Sequence, residues 1–430
     1  MQTQTWLPLL LPLLLPNWLP GKIYNVGPGK EFPTPLTVPW ESLNPGDTVR
    51  IHWQDKPYQV RWAIGRQGKA RHPITIEGIP ASNGQLPIID GKDARQPAAP
   101  HPDYSSGHRA LLRIGSVEGT GFDEPANIVV RNLHFRGCHH HNHYIDRKGN
   151  RKPYISYAAG IHVANGHNIL IDYCIFEDNG NGLMSSNQSR EITIQRCHFF
   201  DNGYDDSKIE EQRRRGKHHN LYTESQGLTL QYNRFCPPKK GCIGNNIKDR
   251  SAGLQVRYNT IYGGNKLIDM VDGEGSEILR NRPDYKTATV EHNLLIKRRE
   301  DPSGRILHFG GDSGNLDWYR TKLIFRNNTV LTKFPETTIL FRTETNAQQV
   351  LAQYNLFHQL TDSPVAKWQL VRHRCHLEAL DNRITGNWFK TVPKSPLDEI
   401  PVMKGLNTFI NNPAVKTWPR PTQKCEHHSH

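Results

Sequence analysis

The sequence has few of the features that mark a compact globular domain or a nucleic-acid-binding protein. Hydrophobic residues make up only 36% of its 430 residues, which is little for an enzyme built around one large core. No Cys-x-x-Cys pair, recognition helix, zinc knuckle or aromatic-rich RNA motif is present, so nucleic acid is not the expected partner. The single long apolar run, within residues 1–20, is broken by prolines, and we expect no stable membrane insertion. A thin core and a large surface are instead typical of a repeat protein.

Six asparagines recur at one place in a repeating strand unit. The units read LQYNRF, VRYNTI, VEHNLL, FRNNTV, AQYNLF and TGNWF, with the asparagines at Asn233, Asn259, Asn293, Asn328, Asn355 and Asn387. Upstream, IVVRNLHF, ILIDYCIF and ITIQRCHF fit the same frame, with Leu133, Cys174 and Cys197 at that place. Each unit alternates apolar and polar residues, which predicts a β-strand. Propeller blades need four strands and about 40–45 residues each, more strands than these units hold. The sequence therefore predicts an all-β fold, a right-handed parallel β-helix with an interior asparagine ladder and long loops over one face.

The domain organisation follows from where the repeat begins and fades. Residues 21–390 are predicted to form one β-helix domain, preceded at 1–20 by an atypical export signal or hydrophobic tail and followed at 391–430 by a C-terminal extension. The segment from Trp40 to Leu43 is expected to cap the apolar end, as solenoids require. An export signal would make the protein secreted or periplasmic. The oligomeric state is not readable from the sequence.

Cysteine and charge give two weaker indications. Cys174 and Cys197 are expected to stack inward as small apolar residues, while Cys236 and Cys242, which flank a Pro-Pro-Lys-Lys-Gly turn, are the likeliest disulfide pair. The net charge of +13 favours an anionic partner, and an acidic polysaccharide fits better than nucleic acid. Local runs such as Lys239-Lys240 are interpreted as solvated loops. The cluster from His139 to His143 suggests a metal site, and a solvated loop or a loop that contacts substrate are the simpler alternatives.

A second strand in each coil carries a column of reactive side chains. The segments of this strand are GIHVA, GLMSS, NLYTE, NIKDR, LIDMV, ILHFG and ILFRT. When they are aligned on their inward apolar residue, the next residue of each points outward. These outward residues are, in order, His162, Met184, Tyr222, Lys248, Asp269, His308 and Phe341. Two positions later the same alignment places Glu224 and Arg250 on neighbouring coils. Successive coils lie about 4.8 Å apart, so the column from Tyr222 to His308 spans about 14 Å. We predict one surface groove containing these residues. A solvated sheet face with paired charges is the simpler alternative.

Five stretches of the sequence resemble bacterial right-handed parallel β-helix repeat proteins of the pectate-lyase-like superfamily. They are YNVGPG, VPWESLNPGDTVRIHW, NNIKDRSAGLQVRYNTIYGGN, DMVDGEG and HFGGDSGN. The coil NNIKDRSAG…VRYNT also resembles the lysine-bearing coil of chondroitinase B and alginate lyases. This resemblance implies that Lys248 is the base of a β-elimination. The assisting arginine of those enzymes belongs one coil later, where this chain has Asp269 and Asp272, and Arg250 would take its place.

The predicted function is a polysaccharide lyase that cleaves an acidic, uronate-containing polysaccharide. Lys248 is the predicted base, Arg250 would lower its pKa and neutralise the uronate, and the acid is Tyr222, His219 or His308. The predicted substrate-binding residues are Asn220, Glu224, Asn246, Arg257 and His162. A Ca²⁺ ion held by Asp269, Asp272 and Glu274 is a further hypothesis, because carboxylates suit a hard cation. A glycoside hydrolase using Asp269, Asp272 and Glu224, an epimerase and a noncatalytic carbohydrate-binding β-helix remain open.

Overall fold

A computed structural model describes residues 21–98, 109–116, 123–210, 215–345, 348–375, 383–385, 387–389 and 408–409. The predicted export signal, and with it the inferred localisation, lies outside these residues. So does nearly all of the predicted C-terminal extension. Within the described residues, no helix has both the length and the apolar composition needed to cross a membrane.

The secondary structure is almost entirely strand. One α-helix, α1, covers Glu277–Arg280, and 3₁₀ helices cover Pro35–Thr37, Trp40–Ser42, Asp206–Lys208 and Leu316–Trp318. The strands are β1 (Ile23–Val26), β2 (Thr48–His52), β3 (Trp62–Ile64), β4 (Ile74–Ile79), β5 (Ile88–Asp90), β6 (Ala94–Arg95), β7 (Ala110–Ile114), β8 (Ala126–Arg131), β9 (His134–Arg136), β10 (His143–Ile145), β11 (Arg151–Pro153), β12 (Ala159–Asp172), β13 (Ile175–Glu177), β14 (Asn181–Gln195), β15 (His198–Phe200), β16 (Leu221–Thr223), β17 (Ser225–Gln231), β18 (Arg234–Phe235), β19 (Ile247–Asp249), β20 (Ala252–Arg257), β21 (Thr260–Tyr262), β22 (Lys266–Met270), β23 (Thr287–Glu291), β24 (Leu294–Lys297), β25 (Arg305–Phe309), β26 (Lys322–Arg326), β27 (Thr329–Thr332), β28 (Thr337–Thr345), β29 (Gln349–Gln353), β30 (Leu356–Gln359), β31 (Lys367–Cys375), β32 (Arg383–Thr385), β33 (Trp388–Phe389) and β34 (Thr408–Phe409).

The strands of the two large sheets pair in parallel with strands one coil away, and this pairing builds the solenoid. β10 and β11 form a separate antiparallel hairpin in a loop. The first face contains β16, β19, β22, β25 and β28 in successive coils. The second face contains β17, β20, β23, β26 and β29. The third is an 11-stranded sheet that includes β18, β21, β24, β27 and β30. Parallel strand pairing between coils on all three faces, together with this order, confirms the predicted parallel β-helix.

The predicted asparagine ladder lies inside the turn between the second and third faces. The side-chain amide of Asn233 donates to Asn259 Oδ1 at 3.0 Å, and the same bond repeats through Asn293, Asn328, Asn355 and Asn387 at 2.9–3.1 Å. Each oxygen from Asn259 onward also accepts the backbone N–H of the preceding ladder residue. Buried amides are thus fully paired, which removes the cost of burying them.

A second, unpredicted ladder of buried amides runs beside the first face. Asn179 donates to Asn202, Asn202 to Asn220, and Asn220 to Asn246, at 3.1, 2.9 and 2.6 Å. Asn220 and Asn246 are fully buried. The prediction that these two residues bind substrate is therefore wrong, because their side chains point into the solenoid and are used in its turn.

The cysteines and the cap complete the core. Cys174 and Cys197 are free, buried thiols, as predicted, and Cys197 Sγ lies 3.4 Å from the Cys174 backbone N–H. Cys242 is also a free thiol, so the predicted Cys236–Cys242 disulfide is wrong, although Cys236 itself is disulfide-bonded. At the N-terminal end Trp40 is fully buried and stacks on Trp62 with ring centroids 5.2 Å apart, as expected for a cap.

Candidate functional site

The outward column lies on the first face in the predicted order. His162 pairs with Met184, Met184 with Tyr222, Tyr222 with Lys248, Lys248 with Asp269, and Asp269 with His308. The next residue in the column is Arg342. The predicted Phe341 is wrong, because it pairs with Leu307 and is fully buried. The segment ILFRT was aligned one residue out of register, and such a slip moves every side chain to the other face.

Arg250 is the centre of a dense polar cluster beside the column. Its Nε donates to the Tyr222 hydroxyl at 3.2 Å, and that hydroxyl donates to Glu224 Oε1 at 2.7 Å. Its NH1 group donates to the backbone and side-chain oxygens of Asp272 at 2.6 and 3.2 Å. The guanidinium is only 9% exposed, so these contacts hold it in one orientation. The predicted grouping of Tyr222, Glu224 and Arg250 is present.

A carboxylate from a later loop binds between the two cations of the site. Lys248 Nζ donates to Asp312 Oδ2 at 2.9 Å, and Arg250 NH1 lies 3.1 Å from Asp312 Oδ1. Asp312 follows β25 in the loop that leads to the 3₁₀ helix Leu316–Trp318. Its side chain is 32% exposed, compared with 17% for Lys248. Lys248 and Arg250 thus form a site that already holds one carboxylate at the protein surface.

Asp269 and His308 lie beneath this surface rather than in an open groove. Their side chains are 2% and 3% exposed. Asp269 accepts from Asn245 at 2.6 Å and Lys266 at 2.9 Å, and it contacts His308 Nδ1 at 2.6 Å. His308 Nε2 contacts Glu344 at 2.9 Å. With both ring nitrogens engaged, His308 has none left for a substrate, which contradicts its prediction as the acid. It is placed instead to hold Asp269, which lies 4.0 Å from Lys248 Nζ.

His219 is also unsuited to the predicted role of acid. It is 2% exposed, and its Nδ1 accepts the backbone N–H of Asn245 at 2.9 Å. Burial, reinforced by the positive charge of Lys248, holds its pKa well below the usual range. The ring is therefore neutral at ordinary pH. It stacks on Tyr222 with centroids 5.9 Å apart, so its contribution is to position the tyrosine ring.

Two other predicted residues lie away from the cluster. Arg257 is on β20 of the second face, where its Nε donates to Gln231 at 3.0 Å. His162 lies in the same column as Lys248 but three strands away. Burial and the neighbouring Arg113 lower the pKa of His162 to about 3. The structure therefore does not bring Arg257 to Lys248, and it leaves His162 about 14 Å from it at ordinary strand spacing.

The three carboxylates predicted to hold Ca²⁺ do not converge. Asp269 contacts Lys266 and His308. Asp272 accepts hydrogen bonds from Arg250 and, at 2.5 Å, from Ser313. Glu274 lies 3.6 Å from Arg250. No group of three potential metal ligands, including the cluster from His139 to His143, is found among the described residues. The side chains that were expected to hold a cation are already neutralised by basic residues.

The surroundings of Tyr222, Glu224 and Asp312 shift the pKa values of these groups in different directions. Burial and the Glu224 charge raise the pKa of Tyr222 above its usual range, so its hydroxyl stays protonated. Burial likewise raises the pKa of Glu224. Burial acts in the same direction on Asp312, but Lys248 and Arg250 outweigh it and hold the pKa of this carboxyl below its usual value. Groups whose environments push their pKa values apart are typical of acid–base chemistry.

Sequence reasoning missed Asp312, Lys266, Asn245 and Glu344. Lys266 and Asp269 are three residues apart on one strand, a spacing that strand alternation assigns to opposite faces. Asp312 stands in the stretch HFGGDSGN, to which the family resemblance assigned no functional residue. Its contact with Lys248 joins residues 64 positions apart and depends on how the loop folds back.

The comparisons with known proteins agree with the fold. A family model described as right handed beta helix region matches residues 126–330. No curated protein matches the sequence. Among solved structures, an alginate lyase from Paenibacillus sp. str. FPU-7 is similar at 15% identity, with 77% of this chain and 94% of that chain covered and a TM-score of 0.51.

Two further structures are more distant. A tailspike protein of E. coli bacteriophage HK620 is 11% identical, with 84% of this chain and 56% of that chain covered and a TM-score of 0.49. A GH136 lacto-N-biosidase from Eubacterium ramulus is 11% identical, with 85% of this chain and 68% of that chain covered and a TM-score of 0.45. At such identities similarity speaks to fold and not to reaction. The resemblance seen in the sequence is confirmed at the level of the fold: the chain is a right-handed parallel β-helix.

Proposed function

We propose that the protein is a polysaccharide lyase that cleaves an acidic, uronate-containing polysaccharide by β-elimination. The observation that carries the proposal is the Asp312 carboxylate, which is bound by Lys248 at 2.9 Å and by Arg250 at 3.1 Å. A carboxylate of the substrate would bind the same two cations after Asp312 moves aside. The alginate lyase named above supports the choice of fold for this chemistry, and the reaction itself is inferred from the site.

The elimination needs three groups around one sugar ring. Arg250 would neutralise the uronate carboxylate, which makes the proton on C5 more acidic. Lys248 would remove that proton, the C4–C5 double bond would form, and the bond from C4 to the glycosidic oxygen would break. Tyr222 would donate its proton to the leaving oxygen, since its raised pKa keeps it protonated and its neighbour Arg250 fixes its orientation. General acid and base groups of this kind contribute about 100- to 10,000-fold each.

A second function is favoured by the number of carboxylates around the cations. Glu224, Asp269, Asp272, Glu274 and Asp312 all lie within 4.0 Å of Lys248 or Arg250. Glu224 has a raised pKa and Asp312 a lowered one, which is the division between acid and base that a glycoside hydrolase requires. Hydrolysis of a glycan is therefore the alternative to elimination.

One screen separates these reactions. The protein is incubated with alginate, polygalacturonate, glucuronan and chondroitin sulfate, while absorbance of unsaturated uronate and new reducing ends are followed together. Both signals rising in proportion would establish a lyase, and reducing ends alone would establish a hydrolase. Binding without either signal would show a noncatalytic glycan-binding protein, unless the uronate stereochemistry changes, which would show an epimerase.

A further inference from the structure

A cavity of about 810 Å³ lies outside the cluster of Lys248 and Arg250. Its lining residues come from three loops: His141, Tyr204, Asp205, Ser207, Lys208, Lys239, Lys240 and Gly241. The loop of Tyr204 leads from β15 to β16, the strand of Tyr222, and the loop of Lys239 leads from β18 to β19, the strand of Lys248. The cavity thus belongs to the same two coils as the candidate site.

Positive charge dominates the lining. Three lysines face one carboxylate, that of Asp205, which lies 3.7 Å from Lys208. Lys239 forms an ion pair with Asp178 behind the cavity. Lys240 is exposed and forms no ion pair within the described part of the chain. A like-charged group of lysines is costly unless an anion neutralises it, whereas the Lys248 cluster holds more carboxylates than cations.

An aromatic surface stands beside these lysines. The ring centroids of His140 and His141 lie 4.5 and 4.8 Å from that of Tyr204. Burial, together with the neighbouring His139, Lys239 and Lys208, lowers the pKa of His141, so this histidine presents a neutral ring at ordinary pH. An aromatic face next to cations suits a sugar ring that carries a negative group.

Ring contacts connect the cavity to the candidate site. Tyr204 lies 6.2 Å from His218, and the next residue, His219, lies 5.9 Å from Tyr222. His218 is fully buried. The two regions are therefore separated by one pair of consecutive histidines, a distance that a chain of a few sugar residues can span.

We propose that this cavity is a second subsite for the anionic sugar chain, in which Lys208, Lys239 and Lys240 hold a carboxylate or sulfate group and Tyr204 stacks on a sugar ring. This inference rests on the proposed function for the identity of the ligand as an acidic glycan. It adds a second region that recognises negative charge, apart from the Lys248 cluster. It also predicts a preference for longer chains, since only these reach both regions.

The test compares the full chain with two double variants that each remove two exposed lysines. Lys208→Ala with Lys240→Ala removes two of the three lysine charges from the cavity. Lys322→Ala with Lys333→Ala removes the same charge from exposed positions on and just after strands of other coils. Binding of an alginate trisaccharide and an alginate octasaccharide is measured by calorimetry at low salt. We expect the cavity variant to lose about five- to tenfold in affinity for the octasaccharide only, and the control variant to change less than twofold.

Further arms make the result independent of catalysis. Tyr204→Ala should weaken octasaccharide binding and Tyr204→Phe should not, because only the ring is needed. Dextran sulfate in place of alginate identifies whether sulfate or carboxylate is preferred. Equal octasaccharide and dextran sulfate affinities for the parent and the cavity variant would overturn the inference, as would no binding of either ligand. Binding that depends on Lys208 and Lys240 without any cleavage would support the subsite and refute the proposed function.

Discussion

Asp312 accepts a hydrogen bond from Lys248 across 64 residues of sequence, with Nζ and Oδ2 separated by 2.9 Å. A loop residue thereby occupies the position that the proposed function gives to the substrate's carboxylate. Binding of substrate must then include displacement of Asp312, and the free energy of that displacement lowers the apparent affinity.

Replacing Asp312 by Asn should therefore improve substrate binding. The amide has the same shape but no charge to compete with a uronate for Lys248 and Arg250. We expect KM for the cleaved polysaccharide to fall about three- to tenfold, as measured by initial rates of unsaturated uronate formation. Asp317→Asn, an exposed position in the same loop, is the matched control. A higher KM in Asp312→Asn would mean that Asp312 helps to bind substrate.

Lys248→Ala should abolish turnover and leave the fold intact. Lys248 faces outward on β19, and among the described residues its amine forms ion pairs only with Asp312 and Asp269. We expect a loss of about 100- to 10,000-fold in kcat, with a midpoint of thermal unfolding close to that of the parent. Full activity in this variant would exclude Lys248 as the base and move the hydrolase, built on Glu224 and Asp312, to first place.

Tyr222→Phe tests the proposed proton donor. The change removes only the hydroxyl, so ring stacking on His219 is kept while the bonds to Glu224 and Arg250 are lost. We expect kcat to fall about 100-fold with KM changed less than threefold. Tyr258→Phe, at an exposed tyrosine of the ladder turn, should keep the parent's kcat. A parent-like kcat in Tyr222→Phe would assign the donor to another group.

Asn293→Leu should lower stability without a specific effect on catalysis. Asn293 donates to Asn328 and to the carbonyls of Val256 and Glu291, and its oxygen accepts from Asn259. Leucine leaves these buried groups unpaired, at about 1–3 kcal/mol for each unsatisfied group. Urea unfolding should show a loss of at least about 3 kcal/mol, compared with less than about 0.5 kcal/mol for Asn281→Leu, an exposed position. Equal stability of both variants would contradict a stabilising ladder.

Stability should fall as the pH is lowered from about 7 toward 4. The pKa of buried His219 is well below the usual range, and burial lowers the pKa of His140 and of His198 to about 4. Below about pH 6.5 the unfolded chain binds protons that the folded chain does not, so the free energy of unfolding decreases with falling pH. Urea unfolding at pH 7, 5.5 and 4.5 measures this slope, and His219→Gln should make it shallower. A slope unaffected by this change would show that His219 does not contribute to it.

The sequence by itself determined the architecture, because the same local pattern of apolar, polar and asparagine residues recurs in every coil. The period of Asn233, Asn259 and Asn293, the alternation within each strand and the inward apolar residue predict which strands pair and which residues form a column. Local rules suffice for this, since each coil packs chiefly on its neighbours. The order Tyr222, Lys248, Asp269 and His308 followed from that alignment and is present in the structure.

Only the tertiary structure decided what surrounds the column. The return of Asp312 to Lys248, the burial of His308 between Asp269 and Glu344, and the use of Asn220 in an interior ladder all depend on loops and turns. Such segments differ from coil to coil and carry no period that a sequence could show. Strand alternation predicts to which side of the sheet a side chain points. The burial of that side chain and its hydrogen-bond partners depend on the loops that pack over it.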